Sequence, residues 1–153
     1  AADVSRPFFC RIARMLRPGR FLDYRLGFFM AVLELNEQNF EEVILNNDFV
    51  VIDFWAPWCG PCKGFAPVFE AASEKHEGVT FAKVNTEEHQ TLAGHFQIRS
   101  IPTLIIFREK VIIYAQPGAL PAGGFDDLIA RAKEVDMAQV HAEIAAEAAK
   151  ENG

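Results

Sequence analysis

Cys59 and Cys62 stand three residues apart in Trp58-Cys59-Gly60-Pro61-Cys62-Lys63, where an apolar run gives way to a helical pattern. On a helix, positions i and i+3 share a face, with Cβ atoms about 5–6 Å apart. A disulfide needs about 3.5–4.5 Å, so a small adjustment makes or breaks the bond. As a staple the bridge is weak: loop entropy gives about 2 kcal/mol for a ring this small, against about 3 kcal/mol for a fifteen-residue loop. Reversible exchange is the better use of such a pair. Cys59 falls at the helix N-terminus, where unpaired N–H groups and the helix dipole favour an anion and depress a thiol pKa. Pro61 fits the first turn because N–H groups there have no helical acceptor. Cys62 lies one turn deeper. These positions make Cys59 the attacking nucleophile and Cys62 the resolving thiol.

Three other residues extend the constellation. Asp53 interrupts the apolar run Phe49 to Trp55, six residues before Cys59, and alternation puts it on one face with Val51 and Trp55. A buried carboxylate has a raised pKa and is suited to accept the proton of Cys62. Lys83, in Phe81-Ala82-Lys83-Val84, is a cation on a second strand, either near Asp53 or snorkelling at the surface. Pro102, in Ile101-Pro102-Thr103, has no N–H and would leave a neighbouring backbone edge free to pair with an incoming peptide. Zinc is the alternative for two close cysteines. It needs four ligands, and the spare candidates Cys10, His76, His89, His95 and His141 do not pair at ligand spacing.

The elements that must position these groups alternate. The sequence predicts a first strand ending near Leu33, a helix capped by Asn36 and running from Phe40 to Asn46, and a buried strand Phe49 to Trp55. A helix from Pro61 to about His76 follows, kinked at Pro67. Then come a strand Val79 to Val84, a helix Thr86 to Phe96 with Glu87 and Glu88 at its start, and a hairpin of Thr103 to Phe107 with Val111 to Ala115. Pro117-Gly118 turns into a closing helix with Phe125, Leu128, Ile129 and Ala132 on one face. This order predicts an α/β fold, a mixed central sheet with helices on both faces.

Trp55-Ala56-Pro57-Trp58-Cys59-Gly60-Pro61-Cys62, together with Asp53, Pro67, Lys83, Ile101-Pro102-Thr103 and Pro117-Gly118-Ala119, resembles the thioredoxin family in order and spacing from Ala31 to Val135. The resemblance implies a thioredoxin-like three-layer sandwich, a cis peptide before Pro102, and reduction of protein disulfides. It implies no bound cofactor, with electrons reaching the dithiol from NADPH through a flavoprotein thioredoxin reductase. The Gly60-Pro61 pair matches the reducing members. The family's peptide-docking groove maps onto Trp58, Gly60, Pro61, Ile101, Pro102 and Gly118. Ser100, Thr86 and Arg108-Glu109-Lys110 depart from the usual pattern and bear on partner preference.

The chain has 153 residues, 50% of them hydrophobic, and a net charge of −6. That suits one domain with its own core and needs no disulfide scaffold. The acidic balance excludes a general nucleic-acid binder. No apolar run reaches the length of a membrane span, so no stable membrane insertion is expected. The charge is uneven: residues 1–29 carry +4 and the remainder −10. We expect an Arg-rich extension over 1–29, a domain over 30–135 and an Ala/Glu-rich helical extension over 136–153. The arm reads as a transit-type segment or as leader sequence ahead of a start at Met30, with Cys10 an incidental thiol. A cytoplasmic monomer is expected, with an organelle as the alternative if residues 1–29 are a transit peptide. The rival from another functional class is a binding module of the same fold whose thiols are idle.

Overall fold

The computed structural model describes residues 32–153. The arm over 1–29, Cys10 and the start at Met30 lie outside the described residues. Five strands, β1 (Val32–Glu34), β2 (Phe49–Trp55), β3 (Thr80–Asn85), β4 (Thr103–Arg108) and β5 (Val111–Pro117), form one sheet in the order β1-β3-β2-β4-β5. The β1–β3 and β3–β2 pairs are parallel; β2–β4 and β4–β5 are antiparallel. The helices are α1 (Phe40–Asn46), α2 (Gly60–Lys75), α3 (Gln90–His95), α4 (Ala122–Glu134) and α5 (Met137–Glu151).

Strand β2 is central, with neighbours on both edges and helices on both faces. That is why its sequence reads as an apolar run rather than an alternation: six of its seven residues are buried. One face packs Val51, Leu104 and Ile106 against Phe65, Phe69 and Ala72 of α2 and Phe125, Ile129 and Ala132 of α4. The rings of Phe69 and Phe125 stack at 5.7 Å, and Phe65 meets Phe125 edge-on at 5.2 Å. On the other face Phe40 of α1 meets Phe96, just past α3, at 5.3 Å, and Phe96 meets Phe54 at 5.7 Å. Aromatic pairs at such spacings add about 0.5–1.5 kcal/mol each beyond the area they bury. Two packed faces clamp β2, and therefore whatever β2 carries at its end.

Two expectations need correction. Residues 86–89 are a turn, and α3 begins only at Gln90. Glu87 N–H donates to Asn85 Oδ1 at 3.0 Å, a local bond that offers the backbone an alternative to helix. Asn36 is not the residue that caps α1; Asn39 holds that position. Asn36 Oδ1 instead accepts from Gln38 N–H (2.9 Å) and Asn39 N–H (3.0 Å), fixing the turn ahead of the helix. The closing helix and the hairpin lie where the sequence put them. Helix α5 begins at an Asp136 carboxylate that accepts from Gln139 N–H at 3.1 Å. Of its residues only Met137 is fully buried.

The β4–β5 turn places Glu109 at φ 48° and Lys110 at φ 70°. A side chain in the left-handed region costs roughly 1–2 kcal/mol, more than the roughly 0.5–1 kcal/mol of extra chain entropy a glycine loses on folding. Lys110→Gly should therefore raise stability by about 0.5–1 kcal/mol, read as a higher urea midpoint at constant slope.

Candidate active site

The site is built where β2 ends and α2 starts. Cys59 is the N-cap of α2, with extended backbone (φ −82°, ψ 112°) and Pro61 in the first turn. Its N–H is bound by Ala56 O at 3.2 Å and its carbonyl accepts from Lys63 N–H at 3.1 Å, so the turn from strand to helix is fixed on both sides of the sulfur. Cys62 N–H donates to Cys59 Sγ at 3.2 Å. A sulfur thus occupies the place usually taken by a capping oxygen, facing the positive end of the helix dipole. Cys59 and Cys62 are joined as a disulfide with Cα atoms 5.2 Å apart. Both are buried, Cys62 slightly the more so.

The Ile101–Pro102 bond is cis. The Ile101 carbonyl oxygen lies 3.7 Å from Cys59 Sγ. Ile101 packs on the small cluster of Ala56, Cys59 and Cys62. The loop is braced by Thr103 Oγ1–H donating to Ser100 O at 2.6 Å and by Gly118 N–H donating to Pro102 O at 2.8 Å. Gly118 has φ +114°, a conformation that L side chains rarely adopt. Trp58, Gly60 and Pro61 are exposed on the helix side of the same surface. Trp58, Gly60, Pro61, Ile101, Pro102 and Gly118 are therefore gathered about Cys59.

Asp53 lies on the face of β2 that α2 covers. It is 4% exposed, and its Oδ1 has no hydrogen-bond partner. Burial pushes its pKa up to about 7, opposed in part by the charge of Lys83. Lys83 is its register partner on β3. The Lys83 ammonium sits 3.4 Å from Glu34 Oε1 and 5.2 Å from the centre of the Trp55 ring. A cavity of about 110 Å³, lined by Asp53, Trp55, Cys62, Lys63 and Lys83 among others, joins the carboxyl to the deeper cysteine. Among the described residues no group of three or more His, Cys, Asp or Glu side chains is arranged to hold a metal ion.

One contact was not legible in the sequence. The indole N–H of Trp58 donates to Glu87 Oε1, across 29 residues of chain. Sequence alone makes Glu87 a helix-start residue; no local pattern links it to Trp58. The signal that was present is Thr86, whose N–H and hydroxyl both donate to Trp55 O (2.8 and 3.1 Å) and pull this turn onto the end of β2.

A dithiol capping a helix, fed by a central buried strand and faced by a cis-proline loop, defines a protein of thiol–disulfide exchange. Comparison with known proteins gives the same result. The family model "Thioredoxin" matches residues 31–134. A relative from Streptomyces coelicolor described as "Putative thioredoxin 2" is 48% identical over 120 residues, spanning 78% of this chain and 90% of that protein. The thioredoxin of Haemophilus influenzae is 42% identical over 92 residues, 59% of this chain and 86% of that one. The solved structure of a mutant thioredoxin from Halobacterium salinarum matches with a TM-score of 0.63 at 31% identity, covering 68% of this chain and 92% of that one. The chain belongs to the thioredoxin family. It is a thiol–disulfide oxidoreductase acting through Cys59 and Cys62.

The buried carboxyl has a consequence for stability. In the unfolded chain Asp53 ionises near pH 4, but in the fold only near 7. Between these values the unfolded state has lost the proton that the folded state keeps, so the contribution of Asp53 to stability falls as pH rises from about 4 to about 7 and is level above. Asp53→Asn should leave stability unchanged at pH 4 and raise it at pH 8, by up to about 4 kcal/mol. Urea unfolding of both oxidised proteins at the two pH values measures the difference.

Proposed function

We propose that the protein reduces protein disulfides, with the residues around Cys59 in distinct roles. The Cys59 thiolate attacks one sulfur of a substrate disulfide. The S–S bond breaks, a mixed disulfide forms, and the other substrate sulfur leaves as a thiolate. Cys62 gives up its proton and attacks Cys59 Sγ. The mixed disulfide breaks, the substrate leaves with both sulfurs reduced and takes up two protons, one from Cys62 by way of Asp53 and one from water, and the Cys59–Cys62 disulfide holds the two-electron oxidation. Asp53 is the base for Cys62. Its burial, its pKa near neutrality and the cavity it shares with Cys62 support that role. Lys83, opposite it on β3, sets how far that pKa rises.

Trp58, Gly60, Pro61, Ile101, Pro102 and Gly118 form the groove in which an extended segment of the substrate lies beside Cys59. Their grouping about one sulfur supports this. Electrons come from NADPH through thioredoxin reductase, which recycles the disulfide; the protein holds no cofactor of its own and serves as an electron-transport link in a reducing compartment, the cytoplasm. It works as a monomer. Residues 30–135 are the catalytic domain, and 136–153 an added helix. Among the described residues no helix is long and apolar enough to cross a membrane.

The observation that carries this reading is the bond from Cys62 N–H to Cys59 Sγ at the start of α2. In an insulin-reduction assay with NADPH and thioredoxin reductase, the intact protein should turn over and Cys59→Ser should not. Cys62→Ser should accumulate a mixed disulfide that thiol reductant releases. Absence of turnover by the intact protein would favour the partner-binding alternative with idle thiols.

A further inference from the structure

Trp58 is an anomaly among the aromatic residues. It immediately precedes the nucleophile, it is 65% exposed, and it is the most exposed large apolar side chain among the described residues. An indole so little covered gains little orientation from packing. Among the described residues it makes one hydrogen bond, to Glu87.

Glu87 is itself held. Its N–H is bound by Asn85 Oδ1 at 3.0 Å, and its carbonyl accepts from Gln90 Nε2 at 3.3 Å. The preceding residue, Thr86, is anchored twice to Trp55 O, at the end of the strand that leads into the active site. His89, closing the turn, donates to Asn85 O at 2.9 Å and pairs with Glu37 at 2.7 Å. The carboxylate is therefore presented from a braced turn, and the sheet fixes that turn relative to Cys59.

We propose that Glu87 is a positioning residue for the exchange reaction: its carboxylate fixes the Trp58 indole as a standing wall of the groove beside Cys59. A wall already in place loses no rotamer freedom when a substrate docks, whereas a free indole does. Among the described residues the polar neighbours of Cys59 Sγ are the Ile101 carbonyl and the Cys62 amide, not Trp58 or Glu87, so the bond acts on docking and not on the sulfur. The proposal rests on the reading of Trp58 as part of the substrate groove.

Kinetics with a protein disulfide and with a small aromatic disulfide reagent separate the two. Glu87→Ala should raise KM for insulin about 3- to 10-fold with kcat within about 2-fold, and leave the rate with the small reagent unchanged, because that reagent needs no groove. Glu87→Gln keeps an acceptor oxygen at the same reach and should stay within about 2-fold of the parent KM. Trp58→Phe removes the donor, so adding Glu87→Ala to it should have no further effect. The indole N–H resonance of Trp58 should shift in Glu87→Ala and hold near its parent position in Glu87→Gln. An unchanged KM in Glu87→Ala overturns the proposal. So does a Glu87→Gln variant as impaired as the alanine, since charge and not the bond would then matter. If Trp58→Ala also leaves KM unchanged, the groove reading fails with it; if Trp58→Ala raises KM while Glu87→Ala does not, the Glu87 assignment alone fails.

Discussion

The protein depends on one short polar contact, the amide of Cys62 donating to the sulfur of Cys59 at the first turn of α2. An N-cap oxygen satisfies an orphan amide and ends its work there. A sulfur in that position receives the same bond and the same favourable potential, but it can also carry a negative charge and form a covalent bond. The second cysteine lies one turn on, at a Cα separation of 5.2 Å that suits a disulfide. Everything else holds this junction still. Strand β2 is clamped between two aromatic cores, and the cis-proline loop brings a carbonyl and an apolar side chain against the sulfur.

The buried carboxyl of Asp53 works against stability. In a core built of Val51, Phe65, Phe69 and Leu104, an unpartnered carboxyl oxygen is a penalty that an alkyl side chain would relieve. In the proposed mechanism its value is a proton affinity near neutral pH, beside a thiol that must lose its proton. Lys83 moderates the penalty without removing it, because its ammonium is drawn toward Glu34 and the face of Trp55. The proposed role as a base is thus one for which fold stability is given up, as expected where function breaks a packing rule.

The fold was legible in the sequence where burial dictates residue type. The apolar run of β2, the helical face of Phe65 and Phe69, and the face of Phe125 and Ile129 all read directly, because packing permits few other residues there. The dithiol was legible from spacing, and Asp53 from its position in an apolar strand. Legibility failed where local polar bonds compete with periodicity. The Asn85 side chain delays α3 by four residues, and Asn36 organises a turn where a cap was expected. The Trp58–Glu87 bond was invisible because it links two exposed residues through tertiary structure alone.

The central claim is tested most directly by the rate at which iodoacetamide alkylates Cys59 in the reduced protein as a function of pH, read by mass spectrometry of the labelled peptide. The account predicts a half-maximal rate clearly below about 8.5, the value of an unperturbed thiol, with Cys62 slower throughout. A Cys59 that titrates like a cysteine in an unstructured peptide would contradict it.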